Sequence, residues 1–220
     1  MDETRPPLGI TDGIRAALPL APGPVIFGIS FGVLAEAAGF GASSALLMSA
    51  TTFAGSAQFA AASVLDSGGT VLAAILAAVF LNARYAAISI TVASIFPGGR
   101  LRRLAESQLI VDESWALSGR SGRFEWPILV GAGLLLYVLW VSSTAVGMLL
   151  GDALGDPESL GLDAAFAALF LALLVPYVRD RRAAGAAALA AAITVALIPV
   201  APVGVPIVAA SLACLVGLRR

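Results

Sequence analysis

Apolar residues arrive along this 220-residue chain in runs of roughly 17 to 25, parted by short polar breaks. A helix needs about 20 such residues to cross about 30 Å of hydrocarbon, so each run predicts a membrane span. The runs fall at about 16–38, 43–65, 70–96, 127–151, 162–178, 183–200 and 203–218, seven in all, with six or eight as the neighbouring counts. Stretches such as Val71 to Leu81 and Ile128 to Val141 do not alternate, which sets aside a β-barrel. The pattern predicts an all-α polytopic bundle of transmembrane helices in a single domain, residues 1–220. Pro19, Pro22 and Pro24 open the first run. Proline has no N–H to give, so that span is expected to be broken or half-length. Pro19-Leu-Ala-Pro22 recurs as Pro199-Val-Ala-Pro202, a pairing that suits a transporter built from internal repeats, although alanine-rich sequence also yields such matches by chance.

Between the third and fourth runs, residues 101–118 (LRRLAESQLIVDESWALS) are too polar to span but interleave leucines with charges. They predict either a cytoplasmic interfacial helix or a helical linker packed on its own bundle.

Composition sharpens the class. The chain is 59% apolar and 12% charged with 23 glycines, a balance that soluble domains do not show and that calls for lipid as solvent. The first fifteen residues mix acids with arginines, so no cleavable signal peptide is expected. Cys214 is the lone cysteine and histidine is absent. These exclude an intrachain disulfide, a HExxH metal helix, a Ser-His-Asp arrangement and an imidazole relay. Neither an enzyme nor a metal or other cofactor is expected, and nothing points to nucleic acid.

All thirteen basic residues are arginine. Arg100, Arg102, Arg103, Arg120 and Arg123 follow the third run, Arg179, Arg181 and Arg182 the fifth, and Arg219 and Arg220 end the chain. The connection after the fourth run carries Asp152, Asp156, Glu158 and Asp163 without an arginine. The positive-inside rule then places the arginine clusters and the C-terminus in the cytoplasm and, with seven spans, the N-terminus outside.

Polar residues within the runs are the candidates for chemistry. Gly28, Gly32 and Glu36 share one face at i, i+4 and i+8; Glu36 either meets a proton or substrate ammonium, or ends a GxxxG packing seam. Thr51, Gly55 and Gln58 share a face within the cluster Thr51-Thr-Phe-Ala-Gly55-Ser56-Ala-Gln58-Phe59. A buried glutamine must find partners. The cluster is therefore interhelical glue or, where Gly55-Ser56 unwinds, a place that offers backbone groups to a ligand. Arg84, beside Asn82 and Tyr85, lies about fifteen positions into a 27-residue apolar run. A central arginine costs at least about 2.5 to 3.5 kcal/mol on insertion scales, so it requires a partner: Glu36, Asp66, Asp112, Glu113 or a ligand carboxylate. Asp112 and Glu113 are read either as solvated surface charges or as a gating ion pair.

The stretches LPLAPGPVIFGISFG (18–32), SATTFAGSAQF (49–59), LNARY (81–85) and VDESW (111–115) together resemble the AzlC family of branched-chain amino-acid permeases, over about residues 13 to 155. The resemblance implies a secondary transporter that exports valine, leucine, isoleucine and often methionine across the bacterial plasma membrane with a small AzlD-type membrane subunit. Coupling to the proton gradient, and a higher oligomer, are compatible with it. One departure concerns the family's NxRH pattern, since Tyr85 here follows Arg84; no role of that histidine carries over.

A free amino acid needs a cation for its carboxylate, an acceptor for its ammonium and an apolar pocket for its side chain. Arg84, Glu36 and the phenylalanines Phe31, Phe53 and Phe59 are candidates, with Asn82, Gln58, Ser56, Gly55 and Thr51 as further substrate contacts and Glu36, Asp112 and Glu113 as coupling or gating groups. Two rivals remain: a permease subunit driven by a separate ATPase, and a passive channel. The chain has no lysine and hence no Walker phosphate-binding sequence, so ATP hydrolysis would require another polypeptide.

Overall fold

The computed structural model describes residues 8–66, 68–120, 122–154, 171, 174–175, 178–201 and 205–214. Helices dominate: α1 (Ile10–Ala17), α2 (Pro22–Ala37), α3 (Ala42–Thr52), α4 (Gly55–Asp66), α5 (Val71–Asn82), α6 (Arg84–Val92), α7 (Arg100–Ser107), α8 (Asp112–Ser118), α9 (Trp126–Leu154), α10 (Arg181–Leu197) and α11 (Val205–Ala210). A two-stranded antiparallel hairpin, β1 (Gly119–Arg120) and β2 (Arg123–Phe124), precedes α9.

Among the described residues, two helical stretches are long and apolar enough to cross a membrane, Val71–Ile95 and Trp126–Leu150. A third crossing follows if α1 and α2, bent by 66° at their junction, count as one broken span. The prolines explain the bend: Pro19 sits in the short 3-10 turn Leu18–Leu20, and Pro22 begins α2. The run 43–65, expected as one span with unwinding at Gly55-Ser56 as one reading, is two helices of 11 and 12 residues that part just before Gly55, each too short to cross alone. The run 183–200 overlaps α10, 17 residues long, which starts two residues earlier. Apart from isolated positions, the run 162–178 lies outside the described residues, as do Asp156, Glu158, Asp163, Pro202, Arg219 and Arg220 and parts of the run 203–218.

α9 is the hub. Its buried residues Ile128, Leu129, Ala132, Leu136, Trp140 and Thr144 face α1, α2, α3 and α8. Glycine permits the closest approach. A Cβ on Gly28 would lie 2.7 Å from Cβ of Ser143, and one on Gly32 2.5 Å from the carbonyl oxygen of Thr144. Gly147 likewise abuts the Ile29 backbone, and Gly131 that of Ile10. Membrane helices gain little from burying apolar groups against one another, so such backbone-to-backbone packing carries the association. By contrast Val71, Leu72, Ile75, Leu76, Val79 and Phe80 of α5 are exposed, an outward apolar face that suits lipid.

The polar segment 101–118 is not one helix. α7 stays exposed, while α8 turns inward against α9 and α1. That turn brings Asp112 and Glu113 into the bundle.

Candidate functional site

The break between α3 and α4, the start of α6 and the bent entry to α2 meet at one cavity. The chain between α3 and α4 passes through Phe53, a non-glycine residue in the left-handed region at φ 40°. Such a conformation is uncommon for a bulky side chain and needs outside support. Here the ring packs edge-on against Tyr137, centroids 5.0 Å apart, and Ala54 N–H donates to Oε1 of Gln58 at 3.2 Å. Gln58 is fully buried; its Nε2 donates to Ser49 Oγ at 2.9 Å, which in turn bonds Thr144 Oγ1 at 2.8 Å. The glutamine thus ties the break to α9. Gln58→Ala takes the acceptor from the buried Ala54 N–H and one of two partners from Ser49 Oγ, at about 1 to 3 kcal/mol for an unsatisfied group. Its expected effect is a thermal midpoint lowered by several degrees in detergent, while Gln58→Glu, which removes the donor to Ser49, is no better tolerated.

The cavity, of about 50 Å³, is lined on its polar side by Gly55, Ser56, Arg84, Tyr85, Asp112 and Glu113. Its apolar side is Phe27, Phe53, Leu136 and Trp140, among others. Arg84 Nη2 lies 2.9 Å from Asp112 Oδ2 and donates to Ser56 Oγ at 3.0 Å. The Arg84 guanidinium lies 5.2 Å from the centre of the Tyr85 ring, and the Tyr85 hydroxyl donates to Asp112 Oδ2 over a long 3.4 Å. Gly55 and Ser56 open α4. The first N–H groups of a helix have no partner within it, so this end favours an anion. Cation, carboxylates, helix start and aromatic wall therefore share one small space.

α8 lies in the connection between spans. Burial raises the Asp112 carboxyl, against the pull of Arg84. Burial, with Asp112 beside it, pushes Glu113 up to about 7. A carboxyl with that value exchanges its proton near neutrality.

The structure brings together Arg84, Ser56, Gly55, Phe53, Asp112 and Glu113 from the sequence expectations. It places the others elsewhere. Glu36 is exposed at the end of α2 and lines neither of two cavities, the one above and a larger groove of about 570 Å³ beside α3, α4 and α5. Asn82 lines that groove, and its buried Oδ1 has no partner among the described residues. Thr51 is exposed, its hydroxyl donating to Leu47 O in its own helix at 2.7 Å. Phe59 packs on Phe31, centroids 5.9 Å apart, behind the cavity. Tyr85, Phe27 and Trp140 are lining residues that sequence reasoning did not select as site residues. Trp140 offered a faint signal, as an indole in mid-span whose N–H needs an acceptor; that N–H has no partner among the described residues.

Residues 19–154, which supply every wall of the cavity, match the AzlC protein family. The chain belongs to that family. An Archaeoglobus fulgidus protein described as an uncharacterized membrane protein is 35% identical over 186 residues, covering 81% of this chain and 82% of the relative. A Helicobacter pylori protein with the same description is 24% identical over 157 residues, covering 70% and 68%. The branched-chain amino acid transport protein AzlC of Bacillus subtilis is 27% identical over 165 residues, covering 72% and 63%. No solved structure matches the chain. Family and fold agree on a membrane protein of the AzlC transport family, and Tyr85, the residue that departs from the family's pattern, lies in the cavity wall beside Arg84 and Asp112.

Proposed function

We propose that this chain is the large subunit of a secondary exporter of branched-chain amino acids, working with a small AzlD-type membrane subunit in the bacterial plasma membrane and catalysing no covalent chemistry. The observation that carries the proposal is the Arg84–Asp112 pair at 2.9 Å, set beside the start of α4 and under an apolar wall. A zwitterion with an aliphatic side chain asks for this set of groups. Its carboxylate takes Arg84 and the N–H end of α4; its ammonium takes Asp112, the role first considered for Glu36; its side chain lies against Phe27, Phe53, Leu136 and Trp140.

At about 50 Å³ the cavity holds about three waters and no leucine. Substrate therefore divides the ion pair and widens the space, and the break at Phe53 supplies a hinge on one of its sides. Glu113 is the coupling carboxyl in this reading, since a group that titrates near 7 loads and releases a proton under a physiological gradient. Seven crossings with the N-terminus outside and the C-terminus in the cytoplasm complete the topology.

Efflux of preloaded radiolabelled leucine or valine tests this, from cells expressing the chain alone, with the small subunit, and with the proton gradient collapsed at constant ATP. The expected result is saturable efflux with both subunits that stops on collapse. Between about pH 6 and 8 the rate varies, and Glu113→Gln flattens that variation because the group that titrates is gone. No efflux from confirmed membrane-inserted protein removes the branched-chain substrate. Efflux that survives collapse points to the ATPase-driven permease, and non-saturable flux to the channel.

A further inference from the structure

The connection from Ile95 to Trp126 holds a helix that the transport site does not use. On α7, at about 100° per residue, Leu101, Leu104 and Ala105 form one stripe, Arg100, Arg103 and Ser107 a second, and Arg102 with Glu106 a third. The third stripe is engaged. Arg102 Nε donates to Glu106 Oε1 at 2.7 Å, Trp126 Nε1 donates to Glu106 Oε2 at 2.8 Å, and the Arg102 guanidinium lies 5.1 Å from the centre of the Trp126 ring. α7 is thereby fastened to the first residue of the span Trp126–Leu150, and it begins five residues after the span Val71–Ile95 ends. Both attachments put it at the level where hydrocarbon gives way to water, a level that tryptophan favours.

The other two stripes are open. Leu101 is 85% and Leu104 71% exposed. With Glu106 taken by Arg102, Arg100 and Arg103 have no acidic partner among the described residues. Arg120 and Arg123, exposed on the hairpin just before Trp126, add to the same charge. Exposed leucines beside unneutralised arginines at the interface match the two zones of an anionic leaflet, acyl boundary and phosphate.

We propose that α7 is an amphipathic anchor for anionic phospholipid, with Leu101 and Leu104 in the acyl boundary and Arg100 and Arg103 on headgroup phosphates. The full chain is reconstituted in nanodiscs of phosphatidylcholine with and without phosphatidylglycerol. An environment-sensitive fluorophore is attached after Leu104→Cys in a Cys214→Ala background. Blue-shifted emission quenched by acyl-brominated lipid is expected. Water-like emission, or blue-shifted emission that bromine leaves untouched because another protein surface covers the site, overturns the proposal. Separately, spin-labelled phosphatidylglycerol associates with the wild type in preference to phosphatidylcholine, and Arg100→Gln with Arg103→Gln reduces that preference about fivefold or more. Equal preference in wild type and variant overturns the anionic assignment. Both arginines are exposed, so the variant folds, and neither readout depends on transport.

Discussion

Arg84→Ala abolishes efflux, and the companion change Asp112→Ala tells why. Arg84 lies mid-span with its side chain 22% exposed, against 20% for Asp112. Removing one member of a largely buried ion pair strands the other charge and typically costs about 3 to 5 kcal/mol. Arg84→Ala alone therefore lowers both thermal stability and transport. In Arg84→Ala with Asp112→Ala no charge of the pair is stranded, so stability returns towards that of the wild type. Transport does not return if Arg84 receives the substrate carboxylate; recovery of efflux in the double variant would make the pair a structural clamp and move the substrate elsewhere. Arg84→Lys is expected to keep the fold and lose most of the transport, because an ammonium cannot reproduce the guanidinium's fixed fork across Asp112 and Ser56. Thermal midpoints in detergent and radiolabelled efflux, measured on the same four proteins, separate these outcomes.

Gly32→Ala and Gly147→Ala are expected to be among the most damaging single-methyl additions. A Cβ at 32 would meet the Thr144 carbonyl oxygen at 2.5 Å and the Met148 nitrogen at 2.7 Å, both backbone atoms that cannot turn aside. At 147 the obstacle is the Ile29 carbonyl. Each methyl forces α2 from α9, and overpacking of this kind costs about 1 to 3 kcal/mol. The thermal midpoint falls by several degrees. Transport falls with it, since Phe27 on α2 and Leu136 and Trp140 on α9 form the cavity's apolar wall. Gly23→Ala and Gly185→Ala are the controls. Nothing lies within 4 Å of a Cβ at either position, and helix propensity favours alanine by up to about 1 kcal/mol. An unchanged midpoint in Gly32→Ala would show that the seam can open and that α9 is not the hub.

The site was legible in proportion to how much each residue conflicts with lipid. Arg84 announced itself because no lipid-facing position tolerates it, and Gly55-Ser56 because small polar residues collect there in mid-run. The same reasoning picked out Gln58 as a buried group in need of partners, and Ala54 N–H and Ser49 are partners it has. Glu36 is exposed and lies apart from the cavity. It stands one residue before the end of α2, and whether such a carboxylate points into the bundle or out of it depends on where the helix stops.

Sequence alone determined the helical membrane class, the bend at Pro19 to Pro22, the candidate position of Arg84 and, through its ordered motifs, the family. Each of these follows from local content: run length against bilayer thickness, a missing N–H, a charge that lipid rejects. Tertiary structure alone decided that the run 43–65 breaks at Phe53, that 101–118 divides into an exposed and an inserted helix, and that Asp112 is the acid meeting Arg84. The reason is that α2, α5 and α9 are apolar on nearly every side, because lipid and bundle interior accept the same residues. Periodicity then carries no record of which face turns inward. That choice falls to long-range fits, such as the Gly32 backbone on Thr144 and the approach of α8 to α6 that joins residues 28 positions apart in one ion pair.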